Sequence, residues 1–348
     1  MTHNAPVRHA VQELARGASL SSEDAEAAFG ALMRGEASPA EMAALLMGLR
    51  MKGETAEEVA GAAQAMRAAM VRVPLEDPDR TVDTCGTGGG RIGTLNLSTA
   101  AAFVVAGAGV PVAKHGNRSF TSRSGSADVL EALGVNIQLT MEQAETVLRE
   151  AGLVFLFAPG FHPAMRHLAP VRRELGIPTI MNLIGPLVNP AGVRRQVIGV
   201  ADAHRGPLLA DALARLGAVH ALVLHAEIGM DEVSPSGGTH VWEVADGSVR
   251  EWKIDPKRLG LECGDLDALA GGEPAENAER IERLLDGSDV TPAVRCAVVL
   301  NAAAGLYVSG LGLSFEAAAQ RAGETLKSGA GALALDRLRR ASRPGQPV

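Results

Sequence analysis

From about residue 80 onward the chain alternates short β-branched runs with longer amphipathic stretches, and this alternation restricts its fold more than any other feature. The runs are TVDTC (81–85), VPVAK (110–114), LVFLF (153–157), QVIGVA (196–201) and VHALVLH (219–225). Strands that return through helices build a largely parallel sheet, so an α/β fold is expected. Two further runs, THVWEV (239–244) and VREWKI (249–254), are joined by ADGS and predict a hairpin. The stretches 291–310 and 314–329 read as helices that close the domain.

The first seventy residues follow a different pattern. They are alanine-rich, and two helix starts are marked by capping boxes, Ser38 with Glu41 behind Pro39 and Thr55 with Glu58. A small helical bundle is expected there. With 348 residues the chain has room for about two domains. Between LVFLF and QVIGVA lies a proline-dense excursion, residues 162–192, long enough to leave the α/β part and return.

A net charge of −7 gives the chain no general field for a nucleic-acid backbone. The three cysteines, Cys85, Cys263 and Cys296, are odd in number and far apart, which fits a reducing compartment better than a disulfide framework. The longest weakly polar run, 97–113, is interrupted by Ser98, Thr99 and Pro111 and is too short to span a bilayer. No apolar leader is read in the first residues, so a cytoplasmic protein is expected.

Four stretches carry the chemistry. GTGGG (86–90) follows a strand and precedes a helix beginning near 96–99, which gathers backbone N–H groups and a helix dipole around one concavity suited to an anion. KHGNRSFTSRSGSAD (114–128) places Lys114, His115, Arg118 and Arg123 among five hydroxyl side chains on a strand-to-helix loop, the equipment for a phosphate or pyrophosphate. GMDEVS (229–234) offers Asp231 and Glu232, either surface charges or ligands for magnesium on a phosphorylated substrate, with Ser98 as a further oxygen. The excursion supplies His162, Arg172, Asn182 and the GPLVNP turn, and Arg172 suits a substrate carboxylate.

Taken together with LNAAAGLYVSG (300–310), these motifs closely resemble the anthranilate phosphoribosyltransferase family over nearly the whole chain, KHGN and GPLVNP being more specific than the glycine turn. The resemblance implies a nucleoside phosphorylase-like fold: a small helical domain, residues 1–72 with part of 165–190, and a large α/β domain, residues 80–164 and 191–345, around a mostly parallel sheet. It implies a homodimer joined through the helical domains. The implied reaction moves the 5-phosphoribosyl group from phosphoribosyl pyrophosphate to the amine of anthranilate, with Mg2+ as cofactor. Carried over by position, the phosphoribosyl pyrophosphate site is Gly86, Gly89, Gly90, Thr94, Asn96, Leu97, Ser98, Thr99, Lys114, His115, Gly116, Asn117, Arg118, Ser119, Phe120, Thr121, Ser122 and Ser126. Ser98, Asp231 and Glu232 are the implied magnesium ligands. Gly86, Asn117 and Arg172 are the implied anthranilate contacts, with His115, His162 and Pro186 lining the approach.

Breaking the bond between ribose C1 and pyrophosphate builds negative charge on the leaving group, so fixed cations and a metal lower the barrier and no covalent nucleophile is required. Positioning between two domains is then the main task, and a hinge is expected near residues 72–80. The chain departs from the family pattern at Gly90 and Arg91, where Asp and Gly are usual, at Pro178, where Arg is usual, and at Glu227–Gly229. The lost carboxylate at Gly90 predicts weaker phosphoribosyl pyrophosphate binding, which Gly90→Asp would tighten. Two other readings compete: pyrimidine nucleoside phosphorolysis on the same fold, and a relative that binds nucleic acid. The acidic net charge, together with the retained Asp231, Glu232 and Arg172, weighs against the second.

Overall fold

A computed structural model of the chain describes residues 5–90, 92–119, 123–288 and 291–343. Four helices come first: α1 (Ala5–Ala15), α2 (Ser22–Met33), α3 (Pro39–Lys52) and α4 (Ala56–Ala69). Both predicted capping boxes form: the Ser38 and Thr55 hydroxyls accept from the backbone of Glu41 and Glu58, and their own amides donate the reciprocal bond to the Glu41 and Glu58 carboxylates. Each such cap contributes about 1 kcal/mol. Glu58 does more than cap: it is fully buried, accepts from the Leu20 amide at 2.9 Å and pairs with Lys52 at 2.9 Å, which ties the helices to one another.

The strands are β1 (Val82–Asp83), β2 (Val112–Gly116), β3 (Leu153–Phe157), β4 (Arg195–Gly199), β5 (His220–Ala226), β6 (Thr239–Ala245) and β7 (Ser248–Ile254). Between and after them run α5 (Leu97–Gly107), α6 (Ser126–Ala132), α7 (Met141–Ala151), α8 (Ala158–Phe161), α9 (Met165–Leu175), α10 (Met181–Ile184), α11 (Arg205–Arg215), α12 (Pro274–Leu285), α13 (Pro292–Val308), α14 (Phe315–Lys327) and α15 (Ala330–Ala341). One sheet forms in the order β3-β2-β1-β4-β5-β6-β7. Pairing is parallel from β3 through β5, and the predicted hairpin adds β6 and β7 antiparallel. The first run is shorter than its sequence suggests, since Thr84 and Cys85 leave the ladder as the glycine turn begins.

Strand β1 has β2 on one side and β4 on the other, with Val82 paired to both Val112 and Arg195. The chain builds outward first in one direction and then in the other, so a crevice opens beyond the carboxyl ends of β1 and β4, where open α/β sheets hold ligands. Two apolar clusters flank the sheet. One packs α5, α13, α14 and α15 against it through Phe103, Val105, Val298 and Leu335. The other joins Ile198, Val200 and Val223 of the sheet to α11 and continues into the N-terminal helices and into Leu168 and Val171 of α9. Helix α9 packs on α2 and α3, so the proline-dense excursion returns to the first helices. Among the described residues no helix is long and apolar enough to cross a membrane.

Candidate active site

The glycine turn after β1 needs its glycines for two reasons. Gly88 and Gly89 adopt φ of 67° and 85°, the left-handed region that side chains avoid. Gly86 lies against β4, where an added Cβ would sit 3.1 Å from the Gly199 carbonyl oxygen, and the Thr87 amide donates to that oxygen at 2.9 Å. Gly199 in turn leaves no room for a Cβ because the Asp231 backbone occupies the space, and Gly90 lies directly against the Asp231 carboxylate. Absent side chains thus let the turn, the end of β4 and the acidic segment converge.

Helix α5 starts at Leu97 with Asn96 as its N-cap, as the sequence predicts, but the Asn96 side chain is used elsewhere. It donates to the Ser124 carbonyl at 3.1 Å and accepts from Asn277 at 2.9 Å, so no side chain caps α5; the Leu97 amide turns back to the Leu95 carbonyl, and the Thr99 and Ala100 amides donate to the Asn96 carbonyl. Thr99 is buried, and its hydroxyl has no hydrogen-bond partner among the described residues.

Lys114 lies at the centre. Only 3% exposed, its ammonium donates to the Thr84 carbonyl at 2.5 Å and to the Ser98 hydroxyl at 3.3 Å. Burial lowers its pKa, while the neighbouring Asp83 and Glu232 oppose the shift. Asp83 is fully buried and pushed up to about 6 by that burial, with Lys114 and the Asn189 amide acting against it. Asn189, from the GPLVNP turn, donates to Asp83 at 2.8 Å and to the Ala113 carbonyl at 2.8 Å, and so locks the excursion to β1 and β2.

Glu232 accepts from the Thr94 hydroxyl at 2.8 Å, and the Ser98 amide also points to its carboxylate. Burial first, and then the adjacent Asp231, push Glu232 up to about 8, and burial also raises Asp231. Two neighbouring carboxylates held against their own ionisation call for a cation. No group of three or more acidic, imidazole or thiol ligands gathers among the described residues. Two carboxylates with the Ser98 hydroxyl are too few for a closed cage; they suit magnesium, which keeps its waters and shares phosphate oxygens.

His115 and His162 face each other with ring centroids 5.2 Å apart. Burial pushes them down to about 3 and about 4, so both are neutral near pH 7. Neither ring nitrogen of His115, nor Nε2 of His162, has a partner among the described residues. Arg172, on α9, is half-buried, its pKa lowered by burial, and its guanidinium forms no hydrogen bond or ion pair among the described residues. Pro186 is buried in the turn and orders β4 by accepting from Gln196 at 2.8 Å.

The structure therefore brings Lys114, Ser98, Thr94 and the acidic pair together around the glycine turn. Arg118 stands apart: its guanidinium is already paired with Asp128 at 2.8 Å and Glu131 at 2.6 Å, and it lies over the Phe157 ring. Asn117 is exposed and its side chain accepts from the Arg118 amide, while Ser126 donates to the Asn117 carbonyl and Gly116 is pressed against Ser126 and Phe155. The Ser119 amide approaches Asp128. Asn182 accepts from the Thr179 amide, the capping role common for its type. Phe120, Thr121, Ser122 and Arg91 lie outside the described residues. Sequence reasoning missed Asp83, Asn189, Gly199 and Asn301. Asn301, on α13, grips the Val233 backbone in both directions, at 3.0 and 2.9 Å, and so fixes the acidic segment. The only signal for these four was their position inside or beside the quoted motifs.

Two family descriptions match: "Glycosyl transferase family, helical bundle domain" over residues 8–70 and "Glycosyl transferase family, a/b domain" over residues 78–332. The anthranilate phosphoribosyltransferase of Rubrobacter xylanophilus is 50% identical across 97% of this chain and 98% of its own. The crystal structure of the Thermus thermophilus anthranilate phosphoribosyltransferase superposes with a TM-score of 0.90 at 44% identity, covering 96% of this chain and 99% of that one. The Saccharomyces cerevisiae enzyme in complex with PRPP and Mg gives a TM-score of 0.88 at 28% identity, covering 97% and 98%. On its fold, its motifs and this likeness, the chain belongs to the anthranilate phosphoribosyltransferase family.

Proposed function

We propose that the chain transfers the 5-phosphoribosyl group of phosphoribosyl pyrophosphate to the amine of anthranilate and releases pyrophosphate, the second step from chorismate towards tryptophan. The observation that carries this reading is the meeting of a buried lysine, the N-terminus of α5 with its Ser98 hydroxyl, and a carboxylate pair held against ionisation at one crevice. The glycine turn and the positive end of the α5 dipole face the diphosphate, and Lys114 balances the charge that grows on it as the C1–O bond breaks. Ser98, Asp231 and Glu232 would hold magnesium, which when bound supplies Lewis-acid neutralisation of the leaving oxygens. With Lys114 bonded to Thr84 and Ser98 beforehand, little reorganisation is needed when charge develops.

Arg172, free of partners among the described residues, forks the carboxylate of anthranilate. Gly86 and Asn117 line the way to C1, and the neutral His115 and His162 rings with Pro186 form a wall that excludes water without adding charge. An aromatic amine carries its lone pair uncharged at pH 7, so no general base is needed before the C–N bond forms. Its proton leaves afterwards to solvent or pyrophosphate. Positioning supplies most of the acceleration. The helical part and the α/β part close on the substrates about the segment near residues 72–80, and two copies pair through the helical part. Anthranilate fluorescence measured with phosphoribosyl pyrophosphate and magnesium tests the reading. Loss of fluorescence that requires both additions supports it; steady fluorescence, with phosphorolysis of thymidine by inorganic phosphate instead, overturns it.

A further inference from the structure

Cys263 and Cys296 are 33 residues apart in sequence, yet their sulfurs lie 2.9 Å from each other. The sequence reading of three scattered thiols thus needs correcting for these two, because the loop after β7 folds back onto α13. Both are half-buried and within reach of solvent. We infer that Cys263 and Cys296 form a redox-responsive pair that closes to an intramolecular disulfide and clamps one wall of the active-site crevice.

The position of the pair gives the bond its consequence. Cys263 belongs to the loop between β7 and α12, and its amide donates to the Pro235 carbonyl at 2.8 Å, just beyond the acidic segment. The same loop holds residues 93–95, just before α5: the Leu95 amide donates to the Leu269 carbonyl at 2.8 Å, the Gly271 amide to the Gly93 carbonyl at 2.9 Å, and Thr94 bridges Ala270. Cys296 sits on α13, one helix turn and a half before Asn301, which grips Val233. A bond between the sulfurs would join the loop that pairs with Thr94 to the helix whose Asn301 holds the acidic segment. Cys85 has no such neighbour among the described residues; it sits beside Gly86, and burial followed by the Asp83 charge pushes its thiol up to about 12.

The chemistry balances with a low-molecular-weight disulfide as oxidant. The Cys263 thiolate attacks glutathione disulfide and expels one glutathione. Cys296 then gives up its proton and attacks the Cys263 sulfur, expelling the second. The protein loses two electrons and two protons, and one glutathione disulfide becomes two thiols. A sulfur separation of 2.9 Å leaves less than one ångström to close to a normal bond of about 2.05 Å.

Full-length protein is treated with glutathione disulfide, capped with N-ethylmaleimide, digested without reductant and analysed by mass spectrometry, with a thermal unfolding scan of the same samples. The expected result is a peptide pair joined through Cys263 and Cys296, two hydrogens lighter than its reduced form, with Cys85 capped. The unfolding midpoint should rise by roughly 5 °C, a shift reversed by dithiothreitol and missing from Cys263→Ser. A stable glutathione adduct on Cys263, bonds between chains, or a linked pair with an unchanged midpoint would each overturn the inference. Should the serine variant not fold, the peptide map and the dithiothreitol reversal on the unmodified sequence still decide it.

Discussion

Glu232→Gln separates what the acidic pair does for the substrate from what it costs the empty protein. Glu232 holds its proton up to about pH 8 in the fold, against an ordinary 4.5, because it is buried beside Asp231. Each unit is worth about 1.4 kcal/mol, so keeping Glu232 protonated in the fold at pH 7, where the unfolded chain would ionise it, costs at most roughly 3 kcal/mol, and about half that once its partial exposure is allowed for. The sign follows from the raised value. Unfolding releases the proton more readily than the fold does, so stability falls as pH rises from about 4.5 to 8 and levels off above. Glutamine keeps the oxygen that accepts from Thr94 at 2.8 Å but cannot ionise. At pH 7.5 without metal the variant should unfold about 3 °C higher than the unmodified chain. Magnesium with pyrophosphate should then stabilise the unmodified chain and leave the variant nearly unmoved, while turnover falls by about 100-fold or more. The two tryptophans give the unfolding signal, and equal or lower stability of Glu232→Gln in metal-free buffer would refute the reasoning.

Three further outcomes follow from the same geometry. Arg172→Ala should raise KM for anthranilate by about 10- to 100-fold and leave KM for phosphoribosyl pyrophosphate unchanged in initial-rate assays, the loss of a charged hydrogen-bond pair; equal effects on both would place Arg172 elsewhere. Gly90→Asp sets a third carboxylate against Asp231, so the tighter phosphoribosyl pyrophosphate binding expected from the family pattern should emerge only at high magnesium, with activity falling below that of the unmodified chain when magnesium is scarce. A KM that moves the same way at all magnesium concentrations contradicts this. His115 and His162 stay neutral down to about pH 3 and 4, whereas unfolded histidines take up protons near 6.5, so stability should fall as pH drops from 6.5 towards 4. His162→Asn should flatten that fall by about 1–2 kcal/mol at pH 5 in urea titrations, and an unaltered acid limb would show that the rings are not buried uncharged.

Much of the fold could be read from the chain because its signals are local. The capping boxes at Ser38 and Thr55, the strand runs and the hairpin over ADGS each state their conformation within a few residues, and all appear in the structure. The order of the sheet was not legible, since the placement of β4 next to β1 depends on long-range packing that no short window records. The site divides along the same line. Lys114, Ser98 and Glu232 stood out by charge and motif, but the groups that hold them do so through backbone atoms and buried amides. Gly199 matters for the side chain it lacks, and Asn189 for spanning from one excursion to two strands. Arg118 misled for the opposite reason. A loop sequence displays its cation but not the Asp128 and Glu131 that the next helix brings to meet it.

The central claim is that one magnesium-bound sugar diphosphate sits where the glycine turn, Lys114 and the acidic pair converge. Crystals grown with phosphoribosyl pyrophosphate and manganese in place of magnesium test it directly by anomalous scattering. The account predicts a metal peak within coordinating distance of Glu232 or Asp231, with the diphosphate on the Gly86–Thr99 turn beside Lys114. A diphosphate bound elsewhere, or a metal that touches neither carboxylate, would contradict it.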